Sequence, residues 1–192
     1  MSLIRVFIAI DLPAEVKSEL AGLEAQLKKN SPAVVKWVDP NGIHITLKFL
    51  GETSDAGIDE LLQAIQEAVQ GVSPFQLEVR ELGSFTASDR TQTIWVGVKG
   101  ALDTLNQLQK NIEANTELLG YKREKRPYSP HLTLGRVRDT ARPSESLRLG
   151  KLLSETTFSA LHNVNVDAVN LMRSQLTPAG PIYTCIGQVK LK

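Results

Sequence analysis

Four residues of the pattern His-x-Thr-Leu occur twice in this chain, as His44-Ile45-Thr46-Leu47 and His131-Leu132-Thr133-Leu134, 87 positions apart. With three histidines, thirteen threonines and twenty-six leucines among 192 residues, chance would produce such a pair roughly a few times in ten thousand. The repeat therefore marks two copies of one structural unit. Each copy sits in a strand-like apolar run. On a strand, side chains two apart share a face, so His44 and Thr46 point one way while Ile43, Ile45, Leu47 and Phe49 point to the core. His131 and Thr133 share a face in the same manner, opposite Leu132 and Leu134. A chain built like this is expected to fold as two similar halves that bring their His-Thr faces together about a pseudo-two-fold axis.

The rest of the chain supplies matching material. Val16, Leu20, Leu23 and Leu27 recur at helical spacing behind Pro13, which predicts a helix ending near residues 30–32. Ile58, Leu61, Leu62, Ile65 and Val69 predict a second helix over 55–70 with Gly71 as its stop. Leu105, Leu108 and Ile112 predict a third over 101–119, stopped by Gly120. Strand-like runs occupy 3–10, 34–38, 43–50, 75–82, 93–99, 131–137, 164–171 and 182–191. Eight strands with three or four helices make an α+β protein. No linker divides the chain, 141–146 is its most loop-like piece, and residues 1–192 are expected to form a single domain of two interleaved lobes.

Composition narrows the function classes. Twenty-two Lys and Arg against 21 Asp and Glu leave a net charge of +1, so any contact with a polyanion must come from a local cluster rather than a global basic field. Cys185 is the only cysteine, which excludes an intrachain disulfide framework and a cysteine-built zinc site. The apolar start is short and interrupted by Arg5, so it reads as a buried first strand, and the expected location is cytoplasmic with no membrane contact.

Two imidazoles that titrate near neutrality supply a general base and a general acid, and two hydroxyls donate to oxygens that gain charge. This set suits in-line displacement at a phosphodiester, with a proton removed on one side of phosphorus and delivered on the other, and it calls for no cofactor. A metal centre is disfavoured because His-x-His and His-Glu-x-x-His spacings are missing. His162 has no threonine partner and reads as structural or exposed.

With these motifs go further pieces: Phe7-Ile8-Ala9-Ile10-Asp11-Leu12-Pro13, Trp37, Lys48-Phe49-Leu50-Gly51-Glu52 after the first motif, Trp95-Val96-Gly97-Val98, Pro130 and Gly135-Arg136 around the second, and Leu171-Met172-Arg173-Ser174 followed by Gly180-Pro181-Ile182-Tyr183. Over nearly its whole length the chain resembles the 2H phosphoesterases, and within them the RNA 2',3'-cyclic phosphodiesterases also described as 2'-5' RNA ligases. One departure is Phe85-Thr86, where family members often carry Phe-Pro. The resemblance implies a bilobal fold of two antiparallel sheets flanked by helices, with the histidines in a central cleft. It implies His44 as proton donor, His131 as proton acceptor, and Thr46 and Thr133 as holders of the phosphate oxygens. The implied reaction opens a terminal 2',3'-cyclic phosphate of RNA to a 2'-phosphate, and its reversal joins ends without ATP.

Residues 121–128, with four cations and two tyrosines ahead of the second motif, are the candidate RNA-contacting loop, and Arg126 and Tyr128 are its candidate substrate contacts. Arg136 joins them if Gly135 introduces a bulge. Lys48 shares the parity of His44 and is expected to reach solvent. Arg90 and Gln92 are weaker candidates in a loop over 86–93. Trp37 and Phe49 are candidates for stacking a base, although Phe49 lies on the core-facing parity. The expected partners are RNA ends or nucleotides with a 2',3'-cyclic phosphate, and a monomer is expected. The rival readings are a 2'-5' oligoadenylate or cyclic ADP-ribose phosphate phosphodiesterase and a non-catalytic RNA-end binder.

Overall fold

A computed structural model of the chain describes residues 3–87, 90–158, 162–178 and 180–192. In chain order the elements are β1 (Leu3–Ile10), α1 (Ala14–Asn30), β2 (Val35–Trp37), β3 (Ile45–Ser54), α2 (Ile58–Ala68), β4 (Phe75–Ala87), β5 (Arg90–Gly100), α3 (Leu102–Glu117), β6 (His131–Val137), α4 (Pro143–Glu155), β7 (His162–Val166), β8 (Ala168–Thr177) and β9 (Gly180–Lys190). The strands form two sheets, β3-β1-β8-β9 and β2-β6-β5-β4-β7, and every pairing is antiparallel. The two orders correspond, with β3, β1, β8 and β9 answering to β6, β5, β4 and β7. The short β2 is an addition on the outer side of β6.

The helices seal one face of the sheets. Val16, Leu20, Leu23 and Leu27 of α1 are buried, as are Leu61 and Ile65 of α2, Leu105, Leu108 and Ile112 of α3, and Leu149 and Leu153 of α4. They join Ile4, Val6, Ile8 and Ile10 of β1, Leu77 and Val79 of β4, and Ile94 and Val96 of β5 in one apolar cluster. Full burial of side chains of this size is worth about 1.5–3 kcal/mol each before chain entropy is subtracted. Phe7 is as buried as these residues but belongs to the opposite face.

Three sequence expectations change. The apolar run 164–171 is two strands in different sheets, β7 beside β4 and β8 beside β1. The exposed Asp167 stands between them. Periodicity records burial, not the sheet that provides it, so the crossing leaves no mark in the sequence. Within 141–146 only 141–142 are irregular, because Pro143 opens α4 with a proline at its first turn. Glu145 accepts a hydrogen bond of 2.8 Å from the Arg142 backbone N–H and pairs with the Arg142 guanidinium, a helix start held by a carboxylate three residues in. Finally, the loop expected over 86–93 is mostly strand, since β4 continues to Ala87 and β5 begins at Arg90.

Each lobe lends a segment to the other. The segment β2, which precedes the first motif, pairs with β6, the strand of the second, with Trp37 opposite Gly135. The Val38 N–H donates to the Leu134 carbonyl at 2.9 Å. Reciprocally, the segment 121–128, which precedes the second motif, lies along β3, the strand of the first. There the Tyr128 hydroxyl donates to the Thr46 carbonyl at 3.1 Å and the Tyr121 and Thr53 hydroxyls bond at 3.0 Å.

Candidate active site

The first histidine is delivered by a tight turn. The Asp39 carboxylate accepts from the Asn41 N–H at 3.0 Å, and a single 3-10 turn over Pro40–Gly42 presents the Gly42 carbonyl to His44 Nδ1 at 2.7 Å. At Gly42 a Cβ would come within 3.1 Å of the Tyr183 ring, so glycine lets that ring close under the turn. The second histidine repeats the device, with Nδ1 bonded to the Ser129 carbonyl at 2.7 Å. A carbonyl only accepts, so each Nδ1 carries a proton and each Nε2 is the nitrogen left to exchange one.

Both imidazoles are braced by aromatic rings. His44 stacks on Phe7 with ring centres 4.6 Å apart and meets the edge of Tyr183 at 5.2 Å. His131 meets Phe85 edge-on at 4.9 Å, and Phe85 leans on Trp95 at 5.3 Å. Phe7, Tyr183 and Phe85 therefore belong to the site, although sequence reasoning gave them no role there. The available signal was Arg5, whose charge two residues before Phe7 marks an exposed face within an otherwise apolar run. Burial pushes the His44 pKa down, against the upward pull of its bond to Gly42 and of Asp11, which is itself paired with Lys17. In the open cleft His44 is thus biased toward its neutral form.

Both motifs contain the same irregularity. Along β3, Ala9 faces Thr46 and Ile8 faces Lys48, so Leu47 is an extra residue. Along β6, Trp95 faces Thr133 and Ile94 faces Gly135, so Leu134 is extra. Each extra residue is a β-bulge that inverts the alternation beyond it. The consequence corrects two expectations at once. Phe49 is 66% exposed on the cleft side rather than packed in the core, whereas Lys48 is 5% exposed rather than in solvent. Lys48 Nζ bonds Glu113 Oε2 of α3 at 2.5 Å and the Lys122 carbonyl at 2.9 Å. In the second copy the bulge returns Arg136 to the face of His131 and Thr133, where it is exposed.

The remaining sequence candidates separate. Tyr128 is half-buried with its hydroxyl bound to the Thr46 backbone, and burial pushes its phenol up, so it braces β3. Arg126 is exposed and faces Glu124 at 3.6 Å. Trp37 packs over Gly135, where a Cβ would stand 3.1 Å from its ring, and carries Lys28 over that ring at 5.9 Å. It is scaffold, not a stacking platform. Arg90 and Gln92 are exposed on β5, and His162 lies on β7 at the far edge of its sheet. Thr46 and Thr133 are half-buried beside their histidines, and β3 and β6 come into contact across the cleft.

The chain is similar to known proteins over nearly its whole length. The model of the 2'-5' RNA ligase superfamily matches residues 13–177. The chain is 33% identical to the RNA 2',3'-cyclic phosphodiesterase of Methanothermobacter thermautotrophicus over 181 residues, 94% of this chain and 95% of that protein. It is 33% identical to the protein of that name from Methanocaldococcus jannaschii over 185 residues, 95% and 98% of the two chains. Among solved structures, TT0787 of Thermus thermophilus superposes with a TM-score of 0.78 at 24% identity, covering 98% of both chains. E. coli LigT complexed with 3'-AMP superposes with a TM-score of 0.75 at 25% identity, covering 99% of both. Paired His-x-Thr strands at the junction of two corresponding sheets, and matches of this extent, establish that the chain belongs to the 2'-5' RNA ligase superfamily of 2H phosphoesterases.

Proposed function

We propose that this chain hydrolyses the terminal 2',3'-cyclic phosphate of RNA to a 2'-phosphomonoester by acid–base catalysis between His44 and His131, without a metal ion. The observation that carries the reading is the twofold occurrence of one device, an imidazole whose Nδ1 is held by the carbonyl two residues upstream, beside a threonine on the same strand face. An acid and a base held alike on two facing strands suit a reaction that moves one proton on each side of phosphorus. The names of the relatives support the same substrate.

In this mechanism His131 Nε2 takes a proton from water, the water oxygen bonds to phosphorus, the bond from phosphorus to O3' breaks, and His44 delivers its Nε2 proton to O3'. Thr46 and Thr133 donate to the equatorial oxygens as charge builds on them. Burial favours neutral His44 in the open cleft, so the donor role draws on the substrate anion, whose charge beside the ring raises the imidazolium population. With a 5'-hydroxyl in place of water, the same sequence joins two RNA ends through a 2'-5' linkage: His131 takes the hydroxyl proton, the 5' oxygen bonds to phosphorus, the bond to O3' breaks and His44 protonates O3'. Both histidines come from one chain, which supports a monomer as the working unit.

The test is turnover of adenosine 2',3'-cyclic phosphate in EDTA with the product phosphate assigned by NMR. The expected product is the 2'-phosphate, and His44→Ala and His131→Ala each reduce kcat/KM by about two to four powers of ten. Activity lost in EDTA and restored by a divalent ion refutes the metal-independent reading. A 3'-phosphate product refutes the assignment of the leaving oxygen.

A further inference from the structure

The bulges make the two cleft strands directly comparable, and their charges differ. Along β3 the cleft face runs Thr46, Phe49 and, past a second register shift, Glu52, which lies opposite Arg5. Along β6 the corresponding face runs Thr133, Arg136 and, just past the strand's end, Arg138. Arg136 and Arg138 flank Val137, which packs on the core side, so both point away from the core. Lys36 of β2 lies directly opposite Arg136 in the ladder, and its neighbour Val35 is 6% exposed within the core, so Lys36 shares the face of Arg136. All three cations are exposed. None forms an ion pair among the described residues.

The basic loop before the second motif looks different. Arg123 is paired with Glu117 at 2.7 Å and Arg126 faces Glu124 at 3.6 Å, while the Glu124 carboxylate also accepts from the Lys125 and Arg126 N–H groups. Half of that loop's positive charge is answered within the loop and the adjoining helix. In a protein of net charge +1, unanswered cations grouped along one sheet edge are what a polyanion would find.

We propose that the β2–β6 edge carries the RNA chain upstream of the reacting terminus, with Lys36 and Arg138 holding backbone phosphates of the preceding nucleotides. The proposal rests on the reading of the cleft as a cyclic phosphodiesterase site and extends it from a terminal nucleotide to a strand. A chain whose last phosphorus sits between Thr46 and Thr133 leaves along one of two corresponding exits. The exit over β3 presents Phe49 and Glu52 with Arg5 of β1 opposite Glu52, a balance of one charge of each sign, whereas the exit over β6 presents Arg136, Arg138 and, from β2, Lys36. Electrostatics break the pseudo-symmetry in favour of β6. Successive residues on one strand face stand about 6.6 Å apart, so Arg136 and Arg138 meet the backbone at separate points.

The experiment compares two substrates, adenosine 2',3'-cyclic phosphate and an eight-nucleotide RNA ending in a 2',3'-cyclic phosphate, across a potassium chloride series. For the Lys36→Ala/Arg138→Ala double variant, kcat/KM for the octanucleotide is expected to fall about 5- to 50-fold at low salt, and the mononucleotide value to stay within about two-fold. The log–log salt slope for the octanucleotide should lessen by about 1.4, the single-strand value for two lost phosphate contacts. Anisotropy of a labelled octanucleotide on the His44→Ala/His131→Ala protein, with and without the two further changes, reads the same loss of binding without turnover. Equal losses on both substrates, or no loss on either, overturn the proposal. So does a preferential octanucleotide loss in Lys122→Ala/Lys125→Ala instead. If the unaltered protein turns over neither substrate, the hydrolase reading falls while the anisotropy comparison still decides the strip.

Discussion

Replacing Lys48 by methionine keeps the stem of the side chain and removes its ammonium group. Glu113 then keeps the Gln109 amide at 3.2 Å and the Glu124 N–H at 3.3 Å as donors, but loses the one cation paired with it among the described residues, and the Lys122 carbonyl loses its 2.9 Å partner. Leaving one member of a buried ion pair alone typically destabilises by about 3–5 kcal/mol. Two surviving donors and the 10% exposure of the Glu113 side chain put this case at the low end, about 3 kcal/mol. For a chain of this length that lowers Tm by about 6–12 °C. Removing the stranded carboxylate as well, in Lys48→Met/Glu113→Leu, should recover at least half of the lost stability. Activity should not recover with it, because both variants lack the Lys48–Lys122 bond, one of the three that hold 121–128, and hence His131, against β3. With displacement near 1 Å able to lower a rate about a hundredfold, kcat should fall about 10- to 100-fold in both variants with KM changing less. Urea titrations and steady-state kinetics below both melting temperatures decide it. A loss under about 1 kcal/mol in Lys48→Met refutes the desolvation argument. A normal kcat in the double variant refutes the positioning role.

Two further outcomes are expected. Thr46→Val and Thr133→Val keep the β-branching and remove the hydroxyl, so Tm should stay close to that of the unaltered protein while kcat/KM falls about 10- to 1,000-fold; full activity in either refutes phosphate contact there. NMR titration of His44 should give a folded pKa below its ordinary value, raised again by adding inorganic phosphate. Because the unfolded chain then binds more protons, His44 lowers stability as pH falls through the unfolded value near 6.5. His44→Gln should accordingly lose less stability than the unaltered protein between pH 7.5 and 5, and an equal loss refutes the assignment.

Much of this architecture is legible in the sequence because period and spacing carry it. The faces of α1, α2 and α3 follow from their leucines and isoleucines, and the His-Thr pairing follows from the two-residue repeat of a strand. The bulges do not follow, since an extra residue in a ladder exists only relative to its partner strand. Strand parity alone consequently exchanges Lys48 with Phe49 and leaves Arg136 conditional. Nor does sequence show which charges are already answered, which is why the densest basic run, 121–126, stands out in it ahead of Lys36 and Arg138.

The reciprocal loan of segments between the lobes has a consequence for how the molecule comes into being. The bonds that fasten 121–128 to the first motif's strand join positions 68, 74 and 82 residues apart. The entropy of closing loops of that size must be met before such contacts return anything. Helices and local hairpins such as β8–β9 need no such closure. Assembly of the cleft is therefore a late event, and an emerging chain that already contains His44 has neither the brace on its Thr46 carbonyl nor the second imidazole. Catalytic competence is therefore expected to arrive together with the completed fold, which activity assayed alongside native fluorescence during refolding would check.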